Sequence, residues 1–214
     1  YGPDGRLYAA EGPRVVAHAA DSTTTILAQG FIGRDMVVAH SGVLYVTEPG
    51  LPGAISHVWL VRPGGRKQIV DTGLRGPTGV TLSPDQSLVY VAESQTHWIY
   101  SYQVQADGAL AYKQRYFWLH TGDDEEGSDA GAMCCDETGL LYVATELGVQ
   151  ICDQAGRVEA ILTVPGNRVT GVCFGGEHFD TLFVSTGSTV YRRRLHATGA
   201  RAWAAPVLPA APKL

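Results

Sequence analysis

One strand-turn-strand unit recurs along this chain, and it limits the fold more than any other feature. It reads RDMVVAHSGVLYVTE at 34–48, TGVTLSPDQSLVYVAE at 78–93, GAMCCDETGLLYVATE at 131–146 and TGVCFGGEHFDTLFVST at 170–186. Each copy has a small or polar start, an apolar strand, a Gly or Asp turn and a second apolar strand. The aromatic anchors Tyr45, Tyr90, Tyr142 and Phe183 lie 45, 52 and 41 residues apart. That is the period of a four-stranded propeller blade, about 40–50 residues.

The stretches between the anchors supply the rest of each blade. HVWLVRPGGRKQIV at 57–70 and WIYSYQVQADGALAYKQRYFWL at 98–119 place alternating apolar residues around Gly-containing turns, a hairpin signal. Alternating βαβ units would need 10–15-residue helical segments there, and no 3.6-residue periodicity is present. An all-β propeller of about five blades follows, over residues 1–197. PDGRLYAAE at 3–11 matches only the second half of the repeat. A segment preceding residue 1 is therefore expected to complete the propeller. The Ala/Pro-rich 198–214 has no strand alternation and is expected as an extended tail, lying across the surface or running free.

Composition removes several function classes. With 26 Gly and 11 Pro against 17% charged residues, the chain suits short strands and tight turns better than a helical bundle. A net charge of −5 without a basic stripe lacks the footprint of a nucleic-acid binder. YRRRLH at 191–196 reads as a solvated strand face, and no apolar run reaches the roughly 20 residues that span a bilayer. Cys134, Cys135, Cys152 and Cys173 make no C-x-x-C pair and read as buried free thiols, the adjacent two pointing to opposite faces of one strand. Neither His97 nor His120 stands beside a recognisable Ser or Cys nucleophile motif. Glu11, Glu48, Glu93 and Glu146 follow the anchor strands and are expected to face solvent.

The ordered phrases GRLYAAEGPRVV, RDMVVAHSGVLYVTEPG, GPTGVTLSPDQSLVYVAES, GAMCCDETGLLYVATELGVQICDQAGRV and VTGVCFGGEHFDTLFVST resemble the gluconolactonase/regucalcin (senescence marker protein) family of six-bladed propellers. The resemblance covers residues 3–195. It implies a hydrolase of sugar lactones or related cyclic esters, working with a divalent cation, calcium or zinc, at one end of the central channel. A hard cation with oxygen ligands polarises the ester carbonyl while a carboxylate takes the proton of water. The resemblance also implies a small lactone or sugar acid as partner.

The positions that carry this chemistry in the family are altered here. Thr78 stands where the family has a ligating asparagine, Gly131 where it has an aspartate, Arg34 and Asp35 where it has Asn-Asp, and Gly171 where an asparagine is common. Two readings follow. In one, the site is lost, no cation is held, and the propeller binds a sugar, a small acid or a protein partner without hydrolysing it. In the other it is rearranged: Asp129, in the acidic stretch 123–129, acts as catalytic base and metal ligand, Thr78 adds a hydroxyl to the metal and substrate, and Asp35 and Arg34 bind substrate. Arg34 would grip a carboxylate by a two-point hydrogen bond. Structural roles account for the same residues: turns at Thr78, Gly131 and Gly171, and bonds to local backbone amides at Asp35.

Overall fold

A computed structural model describes residues 1–166 and 168–209. Strands are held in five antiparallel sheets. The first contains β1 (Leu7–Glu11), β2 (Arg14–His18) and β3 (Thr24–Gln29); the second, β4 (Asp35–Val38), β5 (Leu44–Glu48), β6 (His57–Val61) and β7 (Lys67–Thr72). The third contains β8 (Pro77–Leu82), β9 (Leu88–Glu93), β10 (Trp98–Val104) and β11 (Leu110–Trp118). The fourth contains β12 (Met133–Cys135), β13 (Leu141–Thr145), β14 (Gly148–Cys152) and β15 (Val158–Leu162); the fifth, β16 (Val169–Gly175), β17 (Thr181–Thr186) and β18 (Thr189–Arg194). Among the described residues there is no helix, and the arrangement is a β-propeller. The second, third and fourth sheets have four strands; the first, without a strand before β1, and the fifth have three.

Each sheet is a meander, so consecutive strands pair and the chain enters the next blade at its innermost strand. Strand alternation then sends one face of each sheet towards the blade before and the other towards the blade after. Four apolar clusters fill the interfaces between successive blades. Cys134 and Cys135 show the alternation directly: Cys135 packs with Tyr90 and Phe117 of the third sheet, Cys134 with Val172 and Phe174 of the fifth. The anchors Tyr45, Tyr90 and Tyr142 are buried in these seams, and the Tyr45 hydroxyl donates to the Gly108 carbonyl at 2.8 Å.

The turns repeat one device. An Asp accepts the backbone N–H two residues on at Asp21, Asp85, Asp107, Asp136 and Asp153, over 2.9–3.1 Å, the Asx-turn that favours Asp at such places. Of the recurring glutamates, Glu11 and Glu146 are exposed as expected, whereas Glu48 and Glu93 are not. Glu93 is buried, its carboxylate accepting from the Arg75 N–H and the Thr96 hydroxyl, both at 2.8 Å. Glu48 takes the corresponding place one blade earlier, accepting from the Ile32 N–H at 3.2 Å and the Trp59 indole at 2.8 Å. In both blades the acid ties the end of the second strand to the backbone leading into the first. The cysteines also correct an expectation: Cys135 and Cys152 are buried, whereas Cys173 is exposed.

The segment after β18 docks on the propeller. Gly199 bridges Asp136, and backbone bonds join Thr198 to Glu137, Ala200 to Cys135 and Val207 to Pro84. Residues 210–214 of the expected tail lie outside the described residues.

Candidate functional site

Inner strands β4, β8, β12 and β16 all start at one end of the channel, and this mouth gathers the altered positions. Thr47, at the end of β5, is fully buried and acts as a junction. Its hydroxyl donates to the Thr78 carbonyl at 2.5 Å and accepts from the Asp35 N–H at 3.2 Å. The Thr78 hydroxyl in turn donates to the Ala130 carbonyl at 2.5 Å. These contacts run from the second blade through the third to the fourth.

Asp35 bridges the same two inner strands with its carboxylate. Oδ2 accepts the Val80 N–H at 3.0 Å and Oδ1 accepts the Met36 N–H at 2.9 Å. Burial pushes its pKa up to about 6, against the opposing pull of the two N–H groups and the Arg34 charge. Desolvation outweighs the hydrogen bonds because both donors are neutral amides. The residue is still partly open to solvent. It is therefore a carboxylate able to exchange a proton near neutral pH. Arg34, beside it, is exposed.

The glycine at 131 has a steric cause. A Cβ there would lie 2.6 Å from the Thr170 carbonyl oxygen, and one on Gly79 would meet the Gly131 carbonyl oxygen more closely still. The inner strands of the third, fourth and fifth blades approach so closely that no side chain fits between them.

Asp129 directly precedes Ala130, whose carbonyl ends this junction. It holds a left-handed conformation, φ 49°, and its carboxylate pairs with the Arg168 guanidinium at 2.9 Å. Arg168 also donates to the Asp129 carbonyl at 3.1 Å, so it clamps the loop before β12 to the start of β16. The structure thus brings Asp35 and Thr78 together through Thr47 and leaves Asp129 in an ion pair. Sequence reasoning missed Thr47, Glu93 and Arg168. Thr47 and Glu93 had a signal in the repeat itself, at the end of the second strand. Arg168 had none, since its partner is 39 residues away.

The donors do not fit the divalent cation that the resemblance implies. Among the described residues no three His, Cys, Asp or Glu side chains converge on one point. Gly131 has no side chain, and the Asp129 carboxylate is committed to the Arg168 guanidinium.

The sequence pattern of the SMP-30/gluconolactonase/LRE-like region matches residues 2–188. The chain belongs to this family. It is 26% identical to a gluconolactonase of Zymomonas mobilis over 92% of this chain and 62% of that protein. To pentonolactonase XacC of Haloferax volcanii it is 29% identical over 57% of this chain and 42% of that protein. The chain thus spans less than two thirds of these relatives. Among solved structures it is similar to a gluconolactonase of Xanthomonas campestris (TM-score 0.73, 22% identity, covering 89% of this chain and 68% of that one). It is also similar to the calcium-binding protein regucalcin of Agrobacterium tumefaciens (TM-score 0.76, 18% identity, 92% and 74%). At these identities the structural likeness speaks for the fold.

Proposed function

We propose that this family member is a lactonase-like hydrolase that opens a sugar lactone or related cyclic ester at the mouth where the inner strands begin. The observation that carries the reading is Asp35: a carboxylate at the mouth, fixed by two backbone amides, with its pKa raised to about 6. Lactone-acting relatives support it. Each Asp35 oxygen keeps a lone pair beyond the one bonded to an amide, so the ionised group takes a proton from water. The water oxygen then bonds to the lactone carbonyl carbon. The tetrahedral adduct breaks its ring C–O bond, and the departing alkoxide takes the proton back from Asp35, leaving an open hydroxy acid. Arg34 offers a fixed positive charge to an anionic substituent or to the developing oxyanion. Thr78 accepts a hydrogen bond from a substrate hydroxyl.

The relatives' cation enters no step here, because the donors of this chain do not form its site. A calcium- or zinc-binding titration separates the two versions of the chemistry. Stoichiometric binding abolished by Asp129→Ala or Thr78→Val would restore the metal-assisted route; its absence supports the carboxylate route.

The direct test is pH-stat hydrolysis of glucono- and pentonolactones. We expect kcat/KM to rise with pH through about 6 and Asp35→Asn to lower it by about 10²–10⁴-fold. Arg34→Gln should raise KM for a carboxylate-bearing lactone more than for a neutral one. The lost ligating positions at Thr78 and Gly131 favour a second reading, a propeller that binds without hydrolysing. Calorimetric binding of a sugar acid with no turnover of any lactone would establish that reading and overturn the first.

A further inference from the structure

At the end of the channel opposite the mouth, each inner strand turns into the second strand of its blade. We infer that residues 198–209 are a strap that plugs this turn end and pins the blades together, with Trp203 on the channel axis.

The contacts of Trp203 locate it. Its ring lies 6.3 Å from Tyr1, which precedes the first sheet, and 5.9 Å, edge to face, from Phe179 in the turn of the fifth. Its carbonyl oxygen is 3.3 Å from His40 Nδ1 in the turn of the second. On either side, the carbonyls of Ala202 and Ala204 accept from Gln86 Nε2 in the turn of the third sheet at 2.8 and 2.9 Å. Ala200 N donates to Cys135 O of the fourth at 2.9 Å. Blades arranged around an axis meet at a common short distance only near that axis. A segment touching all five sheets within a few residues must therefore cross it.

The turns themselves carry a second, independent sign. The turn position that closes an i to i+3 backbone bond is Gly42 in the second blade and Gly139 in the fourth, both with positive φ (79° and 90°). In the third and fifth blades the same position is Gln86 (φ 58°) and Phe179 (φ 56°). A side chain in the left-handed region is disfavoured, and the repeat's own solution is glycine. Both exceptions are residues whose side chains grip the strap. Gln86 bonds two strap carbonyls and accepts the His40 N–H at 3.0 Å; Phe179 packs perpendicular to the Trp203 ring and carries the Arg201 guanidinium 4.5 Å from its ring centre. Local strain at both turns is kept because the side chains do work elsewhere.

Hydrogen-exchange mass spectrometry of the wild type, Gln86→Gly and Trp203→Ala tests this. Gln86→Gly relieves the left-handed backbone, so a purely local view expects loss of protection only at His40, whose N–H the Gln86 side chain accepts. The strap expects at least about tenfold faster exchange at Ala200 and Val207 in both variants. Unprotected strap amides in the wild type, or unchanged strap protection in either variant, would overturn the inference. If Trp203→Ala unfolds the protein, Gln86→Gly decides alone.

Discussion

Adding one methyl group at Gly131 should unsettle the mouth. The substitution Gly131→Ala places a Cβ 2.6 Å from the Thr170 carbonyl oxygen and 3.5 Å from the Ala144 Cβ. The first contact is with backbone in the next inner strand, which no side-chain rotation relieves. β16 would have to move by several tenths of an ångström against the apolar seam formed by Val172, Phe174 and Tyr142. Overpacking of this kind costs about 1–3 kcal/mol. For a chain of this size each kcal/mol lowers Tm by about 2–4 °C, so a loss of about 2–12 °C is expected in a thermal melt followed by circular dichroism. Gly122→Ala is the matched control, with only the Glu125 Cγ, at 3.5 Å, near its new methyl. Its stability should stay within about 0.5 kcal/mol of the wild type. Gly131→Asp, which restores the family's residue, should lose at least as much stability as Gly131→Ala. A Gly131→Ala protein melting with the control would refute the claim that close strand approach dictates glycine here.

The raised pKa of Asp35 has a definite sign. Because the folded value of about 6 exceeds the unfolded one near 3.9, the folded state binds more protons between them; the associated stability is full below about pH 4 and lost as pH rises through about 6. Urea melts of Asp35→Asn against wild type should shift in the variant's favour by about 2–3 kcal/mol between pH 4 and pH 7, and a flat difference would refute this. Asp136, only 1% exposed, accepts from the Thr138 N–H and hydroxyl, the Leu140 N–H and the Tyr142 hydroxyl. Asp136→Ala should cost about 3 kcal/mol by denaturant titration, since these buried donors lose a charged acceptor. Burial pushes the Cys152 thiol up to about 12 and Cys135 higher, while Cys173 is exposed. A thiol reagent at neutral pH should label Cys173 first and the other two only on unfolding, as read by peptide mass mapping.

Family relationship and broad fold were legible because a meander blade is a local object. Its strands, turns and aromatic anchors fall within one period, so Tyr45, Tyr90 and Tyr142 reveal both the repeat and its core face. The candidate site was legible only as a set of departures from a family pattern. Thr78, Gly131, Arg34 and Asp35 stood out by comparison with that pattern, but their partners did not. The Thr47–Thr78 and Asp35–Val80 bonds join residues 31 and 45 positions apart, and nothing in the sequence pairs them.

The glutamates show the same division within one residue type. Recurrence placed Glu48 and Glu93 at equivalent strand ends, yet solvent exposure was the wrong inference. A strand end is exposed in isolation, and only the backbone arriving from the previous blade supplies the N–H groups that make burial of a carboxylate tolerable. The segment beyond 197 is the extreme case. Its Ala/Pro composition says that it forms no strand, whereas its place on the axis depends on contacts with residues of all five blades.

The sequence by itself determined the blade: strand length, turn chemistry and the alternation that buries one set of side chains, all set by neighbours a few residues apart. Only the tertiary structure decided what lies at the channel's two ends. There the inner strands of different blades converge, and distances between residues remote in sequence choose glycine at 131, raise the pKa of Asp35 and seat Trp203.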